Sequence, residues 1–194
     1  RDIVNIGKKA YRSDNIIPKN EWIFLSLNYK TAKNGGLLSA KYADDRTSVA
    51  LFADTLVASY NGNGVLTVGS VNNSAIHELL LWDEAHSIET ALLNRSFTKS
   101  PSTRHLIGYW KMDEGEGTQI RDSSRNRHMT MADETWYINN ENKAVNLDGE
   151  SYLSINASQW PVYPEDDYAV EFWMRGGVQI SRSEERFSRN AETD

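Results

Sequence analysis

The stretch YAVEFWMR, Tyr168 to Arg175, decides the fold class. Its apolar and mixed positions alternate: Tyr168, Val170, Phe172 and Met174 leave one side, and Ala169, Glu171, Trp173 and Arg175 the other. Successive side chains of a β-strand project to opposite faces, and aromatic and β-branched residues suit that setting, so this is a strand with one apolar face. Upstream, EWIFLSLNY (Glu21 to Tyr29) reads as a second strand with at least one buried face. Leu37 to Tyr42, Ser48 to Phe52, Thr55 to Tyr60 and Val65 to Val68 read as further strands. They are separated by AKNGG at Ala32 to Gly36, by Asp44-Asp45 and by NGNG at Asn61 to Gly64. Gly and Asn there tolerate the positive φ that tight turns require. AIHELLLW (Ala75 to Trp82) sets Ile76, Glu78 and Leu80 against His77, Leu79 and Leu81, which predicts cover on both faces.

The period then changes. Ser87 is a good N-cap, and Ile88, Ala91 and Leu92 recur at helical spacing, predicting one short helix over 87–97. TKSPSTR (Thr98 to Arg104) is a polar, proline-containing linker. Strand character resumes at His105 to Met112, followed by a turn at Asp113 to Thr118 and a loop at Asp122 to Asn126. Ala144 to Leu147 and Ser151 to Ile155 are expected to form a hairpin through Asp148-Gly149. Short strands between Gly- and Asn-rich turns predict an all-β sandwich or barrel.

Composition excludes several classes. The 194 residues contain no cysteine, which removes disulfides, thiolate metal sites and cysteine nucleophiles together. A net charge of −6 argues against a nucleic-acid partner. The longest apolar run is too short for a membrane-spanning helix, so membrane insertion is not expected. Six Trp, nine Tyr and five Phe give ample aromatic surface for a core and for ligand stacking.

Four segments carry a family resemblance: LIGYWKMDEGEGT at Leu106 to Thr118, DSSRNR at Asp122 to Arg127, AVNLDGESYLSI at Ala144 to Ile155, and YAVEFW at Tyr168 to Trp173. In this order they resemble the opening half of laminin-G-like, concanavalin A-like lectin/glucanase jelly-roll modules of bacterial surface proteins. The Trp22 strand, LTVG at Leu66 to Gly69, Ala75 to Trp82 and the Ser87 helix more loosely resemble the closing half of such a module. The resemblance implies an antiparallel jelly-roll β-sandwich. It also implies a tandem fragment: residues 1–97 as the C-terminal half of one module, 98–104 as linker, and 105–181 as the N-terminal half of the next. Residues 182–194, RSEERFSRNAETD, break the β pattern and resemble a translated sequencing adapter, so an environmental read and a non-native tail are expected. The implied role is non-catalytic adhesion or binding, to carbohydrate or an extracellular protein, in a large secreted or cell-surface bacterial protein. An accessory domain of a glycoside hydrolase or protease, or a β-glucanase of this fold, are the alternatives.

A glucanase needs two carboxylates facing each other across the sugar. Asp113, Glu114 and Glu116 lie among Gly115 and Gly117 in a turn, and Glu171 has no acid two residues away, so hydrolysis is not expected. The histidines, His77, His86, His105 and His128, show no metal-binding spacing, and no GxSxG motif occurs. The resemblance implies a structural Ca²⁺ near Asp122 and Asn126; the alternative for Asp122 is an Asx-turn with Ser124. A His at position 77 stands where the family commonly has an acid, which weakens any calcium site there. Trp82, Trp110 and Trp173 are expected in the core. Trp136, Trp160 and Tyr163 are the candidate sugar-stacking residues, with plugging of the sandwich as the alternative. Sequons at Asn72, Asn94 and Asn156 are read as chance.

Overall fold

A computed structural model describes residues 3–6, 9–12, 18–33, 35–43, 48–57, 66–69, 74–94, 103–139, 142–155 and 166–176. Trp160, Tyr163, the NGNG turn, the 182–194 tail and the linker residues 98–102 lie outside them.

The chain is all-β and antiparallel. The strands are β1 (Ile3–Ile6), β2 (Lys9–Arg12), β3 (Trp22–Ala32), β4 (Gly35–Ala43), β5 (Ser48–Val57), β6 (Leu66–Gly69), β7 (Ser74–Trp82), β8 (Leu106–Trp110), β9 (Gln119–Ile120), β10 (Met129–Met131), β11 (Trp136–Asn139), β12 (Asn142–Leu147), β13 (Tyr152–Ile155) and β14 (Tyr168–Gly176). Helix α1 (Ile88–Asn94) follows β7. The large sheet runs β11-β12-β7-β14-β3-β4-β5, with β8 also on β7; the small sheet runs β6-β13-β10-β9; β1 and β2 pair separately. Strands from before and after residues 98–104 therefore interleave: β14 lies between β7 and β3, and β13 pairs with β6.

The two main sheets share one core. Ile76, Leu79, Leu81, Val145 and Leu147 of the large sheet meet Met129, Met131, Leu153 and Ile155 of the small one. Val170, Phe172 and Met174 of β14 pack onto this core, and Tyr168 stacks on Tyr29 with ring centroids 5.1 Å apart. Burying such apolar surface contributes roughly 25 cal/mol per Å², the main favourable term in a sandwich-like packing of this kind. The face pattern expected for β14 is observed: Ala169, Glu171, Trp173 and Arg175 turn outward, away from this core, and a second cluster forms there around Phe24, Leu80, Trp82, Leu106, Tyr109 and Trp173.

Three expectations are corrected. First, in β7 a register shift leaves Glu78 and Leu79 opposite the single residue Phe172 of β14, and Glu78 adopts φ 53°. This β-bulge inverts the alternation, so Ile76 shares the inner face with Leu79 and Leu81, while Leu80 joins the outer cluster. Second, Ser48 to Phe52 and Thr55 to Val57 belong to one strand, its irregularity absorbed against β4 between Leu38 and Ala40. Third, β12 and β13 form no hairpin. Asp148 Oδ1 accepts the Glu150 and Ser151 backbone N–H groups at 3.0 and 2.7 Å, and Gly149 takes φ 97°, so the chain passes there from the large sheet to the small one. Helix α1 starts where expected, with Ser87 capping it through Thr90 N at 3.2 Å; residues 95–97 of the expected helix lie outside the described residues.

Strand β8 shows how tightly the core is packed. A Cβ on Gly108 would lie 2.2 Å from the Trp110 ring, and that ring is 1% exposed with its Nε1 donating to Arg127 O at 2.8 Å. Gly108→Ala is therefore expected to cost about 2 kcal/mol through overpacking. Thermal unfolding followed by circular dichroism checks this; an unchanged midpoint would sink it.

Candidate functional site

The outward face of the large sheet carries two polar assemblies. The first is closed to solvent. Glu171 is 0% exposed, yet its carboxylate is well provided with donors. Trp82 Nε1 donates to Oε2 at 2.9 Å and Asn94 Nδ2 to the same atom at 3.0 Å. His86 Nδ1 lies 2.8 Å from Oε1, with Ser26 Oγ at 3.4 Å. Asn94 Nδ2 also lies 3.2 Å from His86 Nδ1. Asn28 Oδ1 accepts His86 N at 2.6 Å, and Asn28 Nδ2 donates to Ser26 Oγ at 2.9 Å. Strands β3, β7 and β14 thus supply side chains that tie the 83–87 loop and α1 onto the sheet. At the surface, His105 Nδ1 meets Asp83 Oδ1 at 2.7 Å, and Glu84 approaches both His86 and His105 at 3.6 and 3.8 Å. Glu171 is enclosed in this position, and its hydrogen bonds tie the loop and helix to the sheet.

The second assembly is part-exposed. Trp22 meets His77 edge-on at 6.4 Å and Tyr137 edge-on at 6.2 Å. Arg175 reaches from β14 across β7 and β12 to β11, where its Nη1 donates to Tyr137 Oη at 2.6 Å. Its Cζ lies 5.8 Å from the Tyr137 ring centroid, a cation–π distance. Ala144 and Ala75, both 0% exposed, form the floor between these side chains. Asn146 shares the outward side of β12 by alternation and lies opposite Ala75. His77 Nδ1, Asn146 Oδ1 and Arg175 Nε are buried atoms without a hydrogen-bond partner. Orphaned polar atoms of this kind are uncommon, and three in one patch distinguish it from ordinary sheet surface.

Of the residues singled out by sequence, those among the described residues fall elsewhere, and Trp160 and Tyr163 lie outside them. Trp136 turns inward, packs at the margin of the main core, and donates Nε1 to Gly117 O at 3.0 Å. Trp82 and Trp110 are buried, and Trp173 packs against Phe24 at 5.6 Å. Glu114 Oε1 accepts Arg121 N at 2.8 Å, and Gly115 and Gly117 take φ 76° and 75° in the same turn. Tyr109 Oη donates to Glu78 Oε1 at 3.0 Å; burial, then the neighbouring Glu78 charge, pushes the phenol well above its ordinary range.

Asp122 accepts five hydrogen bonds. Oδ1 takes Tyr109 N at 3.0 Å, Ser124 N at 2.8 Å and Ser124 Oγ at 2.7 Å; Oδ2 takes Arg125 N and Arg127 N, each at 3.0 Å. Burial raises the pKa of this carboxyl, but the backbone N–H groups of Tyr109, Ser124 and Arg127 and the Ser124 hydroxyl together outweigh it and hold it below 3.8. Asn126 is exposed at φ 61°, a turn position. A Ca²⁺ ligand set needs several converging oxygens. Here both carboxylate oxygens are turned to N–H and O–H donors, so the residues do not fit the ion. Among the described residues no group of three or more His, Asp or Glu gathers round a common point, and no helix is long and apolar enough to cross a membrane.

Searches against protein-family models, curated proteins and solved structures return no match for this chain.

Proposed function

We propose that this chain is a non-catalytic carbohydrate-binding module of the concanavalin A-like jelly-roll class, acting in adhesion or glycan capture for an exported bacterial protein. The observation that carries this reading is the outward patch: two angled rings, Trp22 and Tyr137, beside the part-exposed guanidinium of Arg175, which no carboxylate of the described residues pairs. Sugars are bound by stacking an apolar ring face on an aromatic while fixed polar groups read the hydroxyls, and this patch offers both. The jelly-roll assignment is supported by two antiparallel sheets over one core, with the chain crossing between them at Asp148 to Ser151. Family-like segments occur closing half first, and the interleaving of β14 with β3 and β7 supports a permuted sandwich completed by both halves. A catalytic glucanase is disfavoured by the enclosure of Glu171.

Trp22→Ala and Tyr137→Ala are each expected to weaken glycan binding about fivefold or more while the chain stays folded. A loss of one stacked ring is worth on the order of 1 kcal/mol or more. A glycan array followed by titration calorimetry on the hits is the test. Unchanged affinity in both variants would refute the site.

A further inference from the structure

We infer that the glycan taken by the Trp22–Tyr137 patch is acidic, a uronate polymer whose sugar carboxylate pairs with Arg175; this rests on the carbohydrate-binding reading above. Arg175 is part-buried, and its one hydrogen bond goes to a neutral phenol, Tyr137 Oη. Among the described residues every ion pair within 4.0 Å involves a histidine, so no carboxylate compensates this guanidinium. That is not for want of acids, since the chain has 27 Asp and Glu against 21 Lys and Arg. A cation partly withdrawn from water without a counter-charge is unfavourable, and an arriving anion relieves that cost. Arg127, also part-buried, instead gives Nη1 to the Ile107 carbonyl at 2.7 Å.

The ligand class follows from shape as well as charge. A guanidinium is a planar fork that matches a planar carboxylate better than an ammonium does. Arg175 is held in place by the Tyr137 hydroxyl and ring, so little side-chain freedom is lost when an anion binds. The Trp22 and Tyr137 rings stand at 73° to each other beside the cation, so the pyranose that bears the acid would meet an aromatic ring and the guanidinium together.

The test compares polygalacturonate and alginate, each against its fully esterified form, by titration calorimetry with the whole chain. At least one acid polymer is expected to bind tenfold or more tightly than its ester, with affinity falling as salt rises from about 50 to 500 mM. Arg175→Gln is expected to erase that preference while leaving weak binding of the ester, and Arg175→Lys to recover only part of it. If Arg175→Gln does not fold, Tyr137→Phe gives the second reading: it keeps the ring, removes the acceptor that fixes Arg175, and is expected to narrow the preference several-fold. Equal binding of acid and ester, or an unchanged preference in the Arg175 or Tyr137 variant, overturns the inference and leaves the carbohydrate reading intact. Binding of no glycan on the array by a folded chain overturns both.

Discussion

Glu171→Ala is expected to lower stability by about 4 kcal/mol, because removing a buried acceptor strands the donors around it and leaves a cavity. The carboxylate is fully enclosed and serves His86, Trp82, Asn94 and Ser26 at once. Alanine leaves a cavity together with donors that have no acceptor. For a chain of this length such a loss corresponds to a fall in melting temperature of roughly 10 °C. Glu171→Gln separates the two effects. It preserves volume, but its NH₂ must face one pair of donors, so about 2 kcal/mol of the loss should remain. The location of the damage is also expected. Helix α1 and the 83–87 loop are joined to the sheet through this carboxylate, and faster amide hydrogen exchange there should exceed that in β4 and β5. A Gln variant as stable as the parent, with α1 exchange unchanged, would refute the role.

Asp122→Ala is expected to cost about 3 kcal/mol, since five donors lose one acceptor and the Tyr109 N–H is buried beneath the loop. The same carboxyl gives a pH dependence of known sign. Its folded pKa lies below its ordinary 3.8, so its stabilising contribution is complete above that value and is lost as pH falls below it. Asp148 behaves alike, its carboxyl lowered by the Ser151 N–H against a smaller effect of burial. Acid unfolding below about pH 4 should therefore shift to higher pH in Asp122→Ala, because less stability is held in reserve there. Millimolar Ca²⁺ is expected to leave the melting temperature of the parent unchanged. An ion bound only by the folded state would raise it, by about 2.7 kcal/mol of stability at one hundred times its dissociation constant. A rise of several degrees would overturn the donor argument.

The sequence revealed what local periodicity encodes. The alternation of Tyr168 to Arg175 predicts which side chains meet the core, and the Ser87 cap predicts the start of α1. It could not reveal the bulge at Glu78, because an αL residue other than glycine leaves no compositional mark. Strands β9, β10 and β11 span two to four residues, too few for a period to emerge. The crossing at Asp148-Gly149 looked like a hairpin because DG is a strong hairpin signal, yet its Asx-turn sends the chain to the other sheet. The Glu171 assembly was hidden by distance along the chain: His86, Trp82 and Asn94 lie 85, 89 and 77 residues away. The ligand patch was hidden likewise, since Trp22, Tyr137 and Arg175 come from three separated strands. Sequence signals for it existed in the outward position of Arg175 and the Trp opening β3, but neither names its partner.

The position of β14 between β3 and β7 has a kinetic consequence. Ser26 and Glu171, paired across this seam, are 145 residues apart, whereas β3, β4 and β5 follow one another directly. The local meander can form early, but the central seam closes only after a long loop-closure search, and topologies dominated by such contacts fold in milliseconds to seconds. Until then β3 and β7 each present an unpaired edge beside apolar residues, a state that favours intermolecular pairing. On a ribosome that interval extends until the segment through Gly176 has emerged. Refolding should accordingly show a slow phase monitored by Trp173, with aggregation rising as protein concentration increases during that phase.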